Sequence, residues 1–431
     1  MKTVYYPDRS TWSEILARPA QDSGLLTQTC EEVFADVRGR GDAAVRDYTR
    51  RFDGADISDF RVSEQEFAAA EGAVGAELKD AIKLAAANIE AFHRAQMPRR
   101  VEWEDGSGIR CWQEPRAIEK VGLYVPGGSA PLFSTVLMLA IPARLAGCRE
   151  VALCTPPDRE GRVNPAILWA ARFCGIGTVY RIGGIQAIAA MTFGTESVPA
   201  VNKLFGPGNS YVTAAKQLAM SYGVAIDMPA GPSEVMVVAD GTAVPAFVAA
   251  DLLSQAEHGP DSQVLLVTWT PEILPAVESE LERRLAALPR RAVAADALAG
   301  SRIIVVRDRG EALAIANEYA PEHLILSMDN YAGFAAGVVN AGSVFLGNYS
   351  PESAGDYASG TNHTLPTAGW ARSYSGVNMD AFFKKITFQE ITLAGLRRIG
   401  PAVMTMAENE QLTAHADAVA VRLKNGGYGA E

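Results

Sequence analysis

The stretch Ser254-Gln255-Ala256-Glu257-His258-Gly259-Pro260 places an amide, a carboxylate and an imidazole within four positions. Apolar periodicity predicts a helix over 244–257, so Gln255 and His258, three apart, share its face. Two such groups form half of a metal site, although a carboxamide is an unusual zinc ligand. Glu257 is the more conventional donor by type, but its position beside His258 points it elsewhere. Spacing leaves equally open a polar helix end stopped by Gly259-Pro260.

The chain holds five histidines, and three more lie in its second half in polar settings. Glu322-His323 precedes the apolar run Leu324-Ile325-Leu326, placing a carboxylate and an imidazole at the mouth of a buried strand. That pairing suits general acid–base work. Residues 350–366, SPESAGDYASGTNHTLP, read as a long irregular loop, which is commonly functional. Within it Asp356 offers an oxygen ligand and His363 a ligand or substrate contact. His415 follows Gln411 by one turn on the last helix, with Glu408 and Glu410 upstream. The remaining histidine, His93, reads as a partly packed surface residue.

Positioning these groups requires elements, and their pattern is α/β. Short apolar runs at 121–125, 151–154, 179–182 and 203–205 alternate with helical stretches and end in glycine turns at 127–128, 183–184 and 206–208. The alternation restarts at 234–239, 263–268, 302–306, 323–327 and 343–346. This describes two parallel α/β domains, whose ligands bind beyond the carboxyl ends of the strands. Residues 25–52 read as two helices broken at Gly39-Arg40-Gly41. Ser63/Glu66 is a capping-box pattern opening a helical region to about Ala95. Residues 25–120 are expected to pack on the second sheet. Thr387/Glu390 and Thr405/Glu408 read as starts of two final helices, the last with an apolar stripe at Leu412, Ala416, Val419 and Leu423.

Bulk properties exclude several classes. A length of 431 residues suggests two to four domains. The net charge of −11 disfavours nucleic-acid and anionic-membrane binding, which need basic patches. Five cysteines without a CxxC pair read as reduced thiols. The N-terminus has no secretory h-region, and Pro131–Gly147 is too short and interrupted to span a bilayer, so a cytoplasmic location is expected. No GxGxxG follows any strand, and Gly206-Pro207-Gly208-Asn209 fails at the third glycine. There is no P-loop signature, and Ser233 lacks a GxSxG elbow.

The strings VGLYVPGGSAPLFSTVLMLAIPA, FGTESVPAVNKLFGPGN, DMPAGPSEV, LLSQAEHGPDSQ, APEHL, SPESAGDYASGTNH and LTAH occur in this order. Together they resemble bacterial monofunctional histidinol dehydrogenase over residues 25–423, with no departure at the motif positions. The resemblance implies NAD⁺-dependent oxidation of L-histidinol to L-histidine through L-histidinaldehyde, closing histidine biosynthesis. It implies one Zn²⁺ per subunit on Gln255, His258, Asp356 and His415, all four of these also touching substrate. Glu322 and His323 would be the acid–base pair, with Ser233, His323, His363 and Glu410 contacting substrate and Tyr124, Gln186 and Asn209 contacting NAD⁺.

The resemblance further implies two incomplete Rossmann-like domains. An N-terminal extension would cover 1–22, a first domain 23–122 and 236–377, an NAD-binding domain 123–235, and a helical arm 378–431. In a homodimer that arm would complete the neighbour's site. Zinc would chiefly position the substrate, with Lewis-acid activation as the competing role. Two rivals stay open: a paralogue oxidising another polyol or sulfonated alcohol, and a zinc amidohydrolase using Glu322 as base.

Overall fold

The protein is described by a computed structural model covering residues 1–19, 23–127 and 131–424. Gly128, part of the first glycine turn, lies outside the described residues. The chain divides into two units: residues 1–96 with 118–382, and residues 97–117 with 383–431.

The first unit contains two parallel sheets, as the alternating pattern predicts. The five-stranded sheet runs Val179–Arg181, Glu150–Thr155, Lys120–Tyr124, Lys203–Phe205, Ala225–Ile226. Its strand order reverses between Lys120–Tyr124 and Lys203–Phe205, whose registers place Leu123 beside Phe205. The six-stranded sheet runs Lys2–Tyr5, Arg302–Val305, Gln263–Thr268, Glu234–Ala239, His323–Ser327, Ser343–Leu346. Its two strands Glu234–Ala239 and Gln263–Thr268 are buried at every position. Both faces of such a sheet are covered, so its strands read as unbroken apolar runs rather than alternating ones.

Helices Ser23–Arg40 and Asp42–Phe52 bury Cys30, Val33, Phe34, Ala44 and Val45 in one core with Ile188 and Val212. Helices Glu64–Ala73 and Ala76–Ala95 join a second core with Leu137 and Ile167. Residues 23–95 thus pack on the five-stranded sheet, where the sequence suggested the other one. The reason is complementarity of apolar faces, which periodicity does not assign to a particular partner. Ser63 and Glu66 do form a reciprocal capping box, but a break at Val74-Gly75 divides the helical region after it into two helices. His93 is fully buried, its ring bonded to the Ile89 carbonyl at 2.8 Å and the Asn362 amide at 3.2 Å. It is a core histidine and not a surface one.

The glycine turn after Lys203–Phe205 is held from below. Lys216 is 4% exposed and donates to the Gly206 carbonyl at 2.8 Å and to the Asp227 carboxylate. Asp227 in turn accepts from the Gly206 N–H at 2.8 Å. Gly206 has φ of 127°, and a Cβ there would stand 2.1 Å from the Tyr124 carbonyl oxygen. Only glycine fits.

The second unit is a three-stranded antiparallel sheet, Phe383–Ile391, Ile109–Ala117, Val101–Glu104, followed by helices Leu393–Asn409 and Thr413–Lys424. Trp112 stacks on Phe388 at 5.3 Å, and Gly400 lets the second helix approach through Val419 and Leu423. Thr387/Glu390 therefore begins no helix: all nine residues of this strand pair with Ile109–Ala117. A cross-strand ladder of that length outweighs one short capping pattern. Thr405/Glu408 lies inside Leu393–Asn409, whose cap is Thr392, accepting from the Gly395 N–H at 3.2 Å.

Lys216→Met should leave the Asp227 carboxylate buried without its cation. A loss of about 3–5 kcal/mol is expected for such a broken pair, read as a lower urea midpoint with an unchanged slope.

Candidate active site

A cavity of about 950 Å³ opens in the first unit. One part is lined by Tyr124, Gly184, Gly208 and Asn209, at the carboxyl ends of the five-stranded sheet. Another is lined by Ser233, Glu257 and His258, at the amino ends of the six-stranded sheet. The cavity thus meets the first sheet at its strand carboxyl ends, where parallel sheets usually bind ligands, and the second at its amino ends.

At the second end, Glu234 opens the central strand and organises its neighbours. Its N–H donates to Glu322 Oε2 at 2.9 Å, and its carbonyl lies 3.1 Å from His323 Nδ1. A carbonyl only accepts, so Nδ1 carries the hydrogen and Nε2 is the basic nitrogen of the neutral ring. That Nε2 is buried without a hydrogen-bond partner, 3.5 Å from Asp356 Oδ1. The Glu234 side chain is fixed by Arg18, whose Nε and Nη2 reach its two oxygens at 2.5 and 2.8 Å. The Ala368 N–H adds a third bond at 2.8 Å.

Asp356 is not on an irregular loop. Glu352–Tyr357 forms a short helix after Pro351, which puts Glu352 and Asp356 one turn apart on one face. His258, Glu352 and Asp356 bring their ligand atoms within 4.8 Å of one another. Gln255, wholly buried on helix Pro245–Ala256, sets its carboxamide between Glu352 and the Glu234 N–H. With Nε2 turned to Glu352 it donates to that carboxylate, and its Oε1 accepts from Glu234 at 3.2 Å. With Oε1 turned to Glu352 the facing oxygens are satisfied by a proton on Glu352 or by a cation that both contact. One imidazole, two carboxylates and an amide oxygen form a donor set that fits a divalent first-row metal such as zinc.

The electrostatics follow from crowding acids in a buried place. Burial pushes the Glu322 carboxyl up to about 8, and Glu352 likewise to about 8. Burial also disfavours a charged His323, but Glu322, Glu352 and Asp356 outweigh it and hold the ring well above its usual range. Burial would raise Asp356 too; the His323, His363 and His258 rings hold it low instead. His363 is fully occupied, with Nδ1 at 2.8 Å from the Asp356 carbonyl and Nε2 at 3.1 Å from Thr135 Oγ1.

At the first end, the Tyr124 hydroxyl accepts from the Gly184 N–H at 3.1 Å. Asn209 caps helix Ser210–Ser221 through the Val212 N–H at 3.1 Å. Gln186 donates to Asp53 at 3.1 Å. Thus Gln255, His258, Glu322, His323, Asp356 and His363 form one contact network, with Ser233 on the same cavity wall. Tyr124, Gln186 and Asn209 gather at the other sheet. Glu410 and His415 are exposed residues of the second unit.

Glu352, Glu234, Arg18 and Asp53 were not singled out by sequence. The i,i+4 spacing of Glu352 and Asp356 was a usable signal, hidden because the segment read as loop. Arg18 and Glu234 carried none, being 216 positions apart.

A parallel α/β fold with a buried carboxylate–imidazole pair and a metal-capable cluster whose His258 faces the cavity suits an enzyme, and comparison with known proteins makes it an oxidoreductase. The chain belongs to the histidinol dehydrogenase family, whose family model, Histidinol dehydrogenase, matches residues 16–423. It is 56% identical over 423 residues to the histidinol dehydrogenase of Bacteroides thetaiotaomicron, covering 98% of this chain and 99% of the relative. Against that of Xanthomonas euvesicatoria it is 56% identical over 420 residues, 96% and 97% of the two chains. The crystal structure of histidinol dehydrogenase from Elizabethkingia anophelis superposes with a TM-score of 0.96 at 55% identity, over 98% of each chain. No described helix is long and apolar enough to cross a membrane.

Asp251, on the same helix as Gln255, is another buried acid; burial pushes its carboxyl up to about 7. The folded state therefore binds this proton more tightly than the unfolded chain. The resulting stability is complete below about pH 4 and lost as pH rises through about 7. Asp251→Asn should flatten the fall in urea midpoint across that window, measured with chelator present; an unchanged slope would count against it.

Proposed function

We propose that the protein oxidises L-histidinol to L-histidine through L-histidinaldehyde, transferring two hydrides to two NAD⁺ in the last steps of histidine biosynthesis. The observation that carries this reading is the Glu322–His323 pair, pinned by the backbone of one residue, Glu234, beside the His258, Asp356 and Gln255 donors. Glycine turns suited to a dinucleotide share a cavity with His258.

His323 has the geometry of a general base in its neutral form: Nδ1–H is committed to Glu234, and Nε2 takes the alcohol proton as hydride leaves. Glu322, held beside it by the same residue's backbone, in its ionised form takes a proton from water adding to the aldehyde, and a second hydride transfer gives the carboxylate. Gln255, His258 and Asp356 would hold Zn²⁺, with His415 contributed by a second copy. When bound, the metal would fix the substrate's amine and imidazole and favour the alkoxide, as positioning group or Lewis acid. Ser233, His363 and Glu410 would contact substrate, and Tyr124, Gln186 and Asn209 the dinucleotide.

A homodimer sharing its sites is supported by apolar surface on the second unit. Val101, Trp103, Ile386, Met406 and Leu412 are all exposed there. Single exposed apolar residues are ordinary, but this many on a unit with a small core suit a partner's surface.

Purified protein with histidinol and NAD⁺ should yield two NADH per histidine. Chelation should abolish turnover and zinc restore it. One NADH per product would leave a simple alcohol dehydrogenase, and no NADH with zinc present would sink the reading. Mixing inactive Glu322→Gln and His415→Asn subunits should recover part of the activity by rebuilding one intact site. Hybrids that exchange subunits yet stay inactive would remove His415 from the neighbour's site.

A further inference from the structure

The cavity extends past Tyr124 and Asn209 to a carboxylate from outside the sheet. Asp53 follows helix Asp42–Phe52 and lines the cavity with Arg51, Pro156 and Gly184. Gln186 Nε2 donates to its Oδ2 at 3.1 Å, and the Gly183 N–H also donates to the carboxylate. Close approach is built in: a Cβ on Gly183 would lie 2.9 Å from Asp53 Oδ1 and 2.6 Å from Pro156. Gln186 is itself wholly buried, with an Oε1 that has no donor.

A carboxylate accepts about four hydrogen bonds, and these two donors leave capacity for more. Burial pushes its pKa up to about 6, so the group remains charged at neutral pH and gains from further donors. What reaches it from the cavity must therefore carry hydroxyl or amine hydrogens and no negative charge.

Sheets that bind dinucleotides usually read the ribose 2′-hydroxyl with an acid after their second strand. Here the second strand, Glu150–Thr155, ends in Pro156-Pro157, and the Asp158 that follows is taken up by its own turn, accepting from the Glu160 and Arg162 N–H groups and from Arg162 Nε. Asp53 stands beside Pro156, at the place such an acid would occupy. Resting on the proposed NAD⁺ reading, we propose that Asp53 binds the vicinal ribose hydroxyls of the dinucleotide and excludes a 2′-phosphate, making the enzyme selective for NAD⁺ over NADP⁺. Arg51, exposed on the same wall with its guanidinium 5.2 Å from the Phe52 ring, is the cation a 2′-phosphate would use once Asp53 is neutral.

The test is titration of the full-length protein with NADH and with NADPH by fluorescence, for wild type, Asp53→Asn and Asp53→Asn/Arg51→Ala. Wild type should prefer NADH. Asp53→Asn keeps an oxygen for Gln186 but drops the charge, and it should lower the NADH-to-NADPH preference about tenfold or more. The double variant should lose the gained NADPH affinity. Melting curves check that each variant is folded. Wild type binding NADH with preference while folded Asp53→Asn retains that preference would overturn the assignment of Asp53 alone. A Gln186-holding role without charge selection predicts equal weakening of both nucleotides, which overturns it as well. Wild type binding neither nucleotide would instead refute the reading of the cavity on which it rests.

Discussion

The backbone of Glu234 is the constraint on which the site depends. Its N–H and carbonyl hold Glu322 and His323, fixing both the spacing of the pair and the tautomer of the ring. Because Glu234 opens the central strand of a six-stranded sheet, the pair inherits the rigidity of the sheet interior. A buried carboxylate at that position would be costly unpaired, and the Arg18 fork with the Ala368 N–H satisfies it. The acid–base geometry is thus set by backbone and not by flexible side chains.

The two sheets divide the chemistry by polarity of the strands. Carboxyl ends of the five-stranded sheet supply glycine turns and a helix start capped by Asn209, features suited to phosphate and ribose. Amino ends of the six-stranded sheet supply acids, imidazoles and the end of helix Pro245–Ala256. The second group crowds acids in a buried place: burial raises Glu322 and Glu352, while the His323, His363 and His258 rings hold Asp356 low. A bound cation would relieve that crowding.

The strands and most helices were legible because buried parallel strands are unbroken apolar runs and their glycine turns are conspicuous. Gln255 and His258 could be placed on one face from spacing, and Glu322-His323 at the head of a strand from its apolar run. Packing partners were not legible: helices 23–95 and strand Phe383–Ile391 are decided by surfaces far away in sequence. The same limit hid Arg18, Glu234 and Asp53, whose importance lies wholly in what they meet. Linking Asp356 to His258 needed family resemblance first and coordinates afterwards.

The reach of Arg18 across 216 positions bears on how the site comes into being. During synthesis the amino-terminal segment emerges long before Glu234, and Glu234 before Glu322 and His323. Edge strand Lys2–Tyr5 likewise waits for Arg302–Val305 before it can pair. Such long-range closures are slow and come late. A half-made chain therefore exposes acids and imidazoles in no fixed relation, and the reactive arrangement arises only when the second sheet closes.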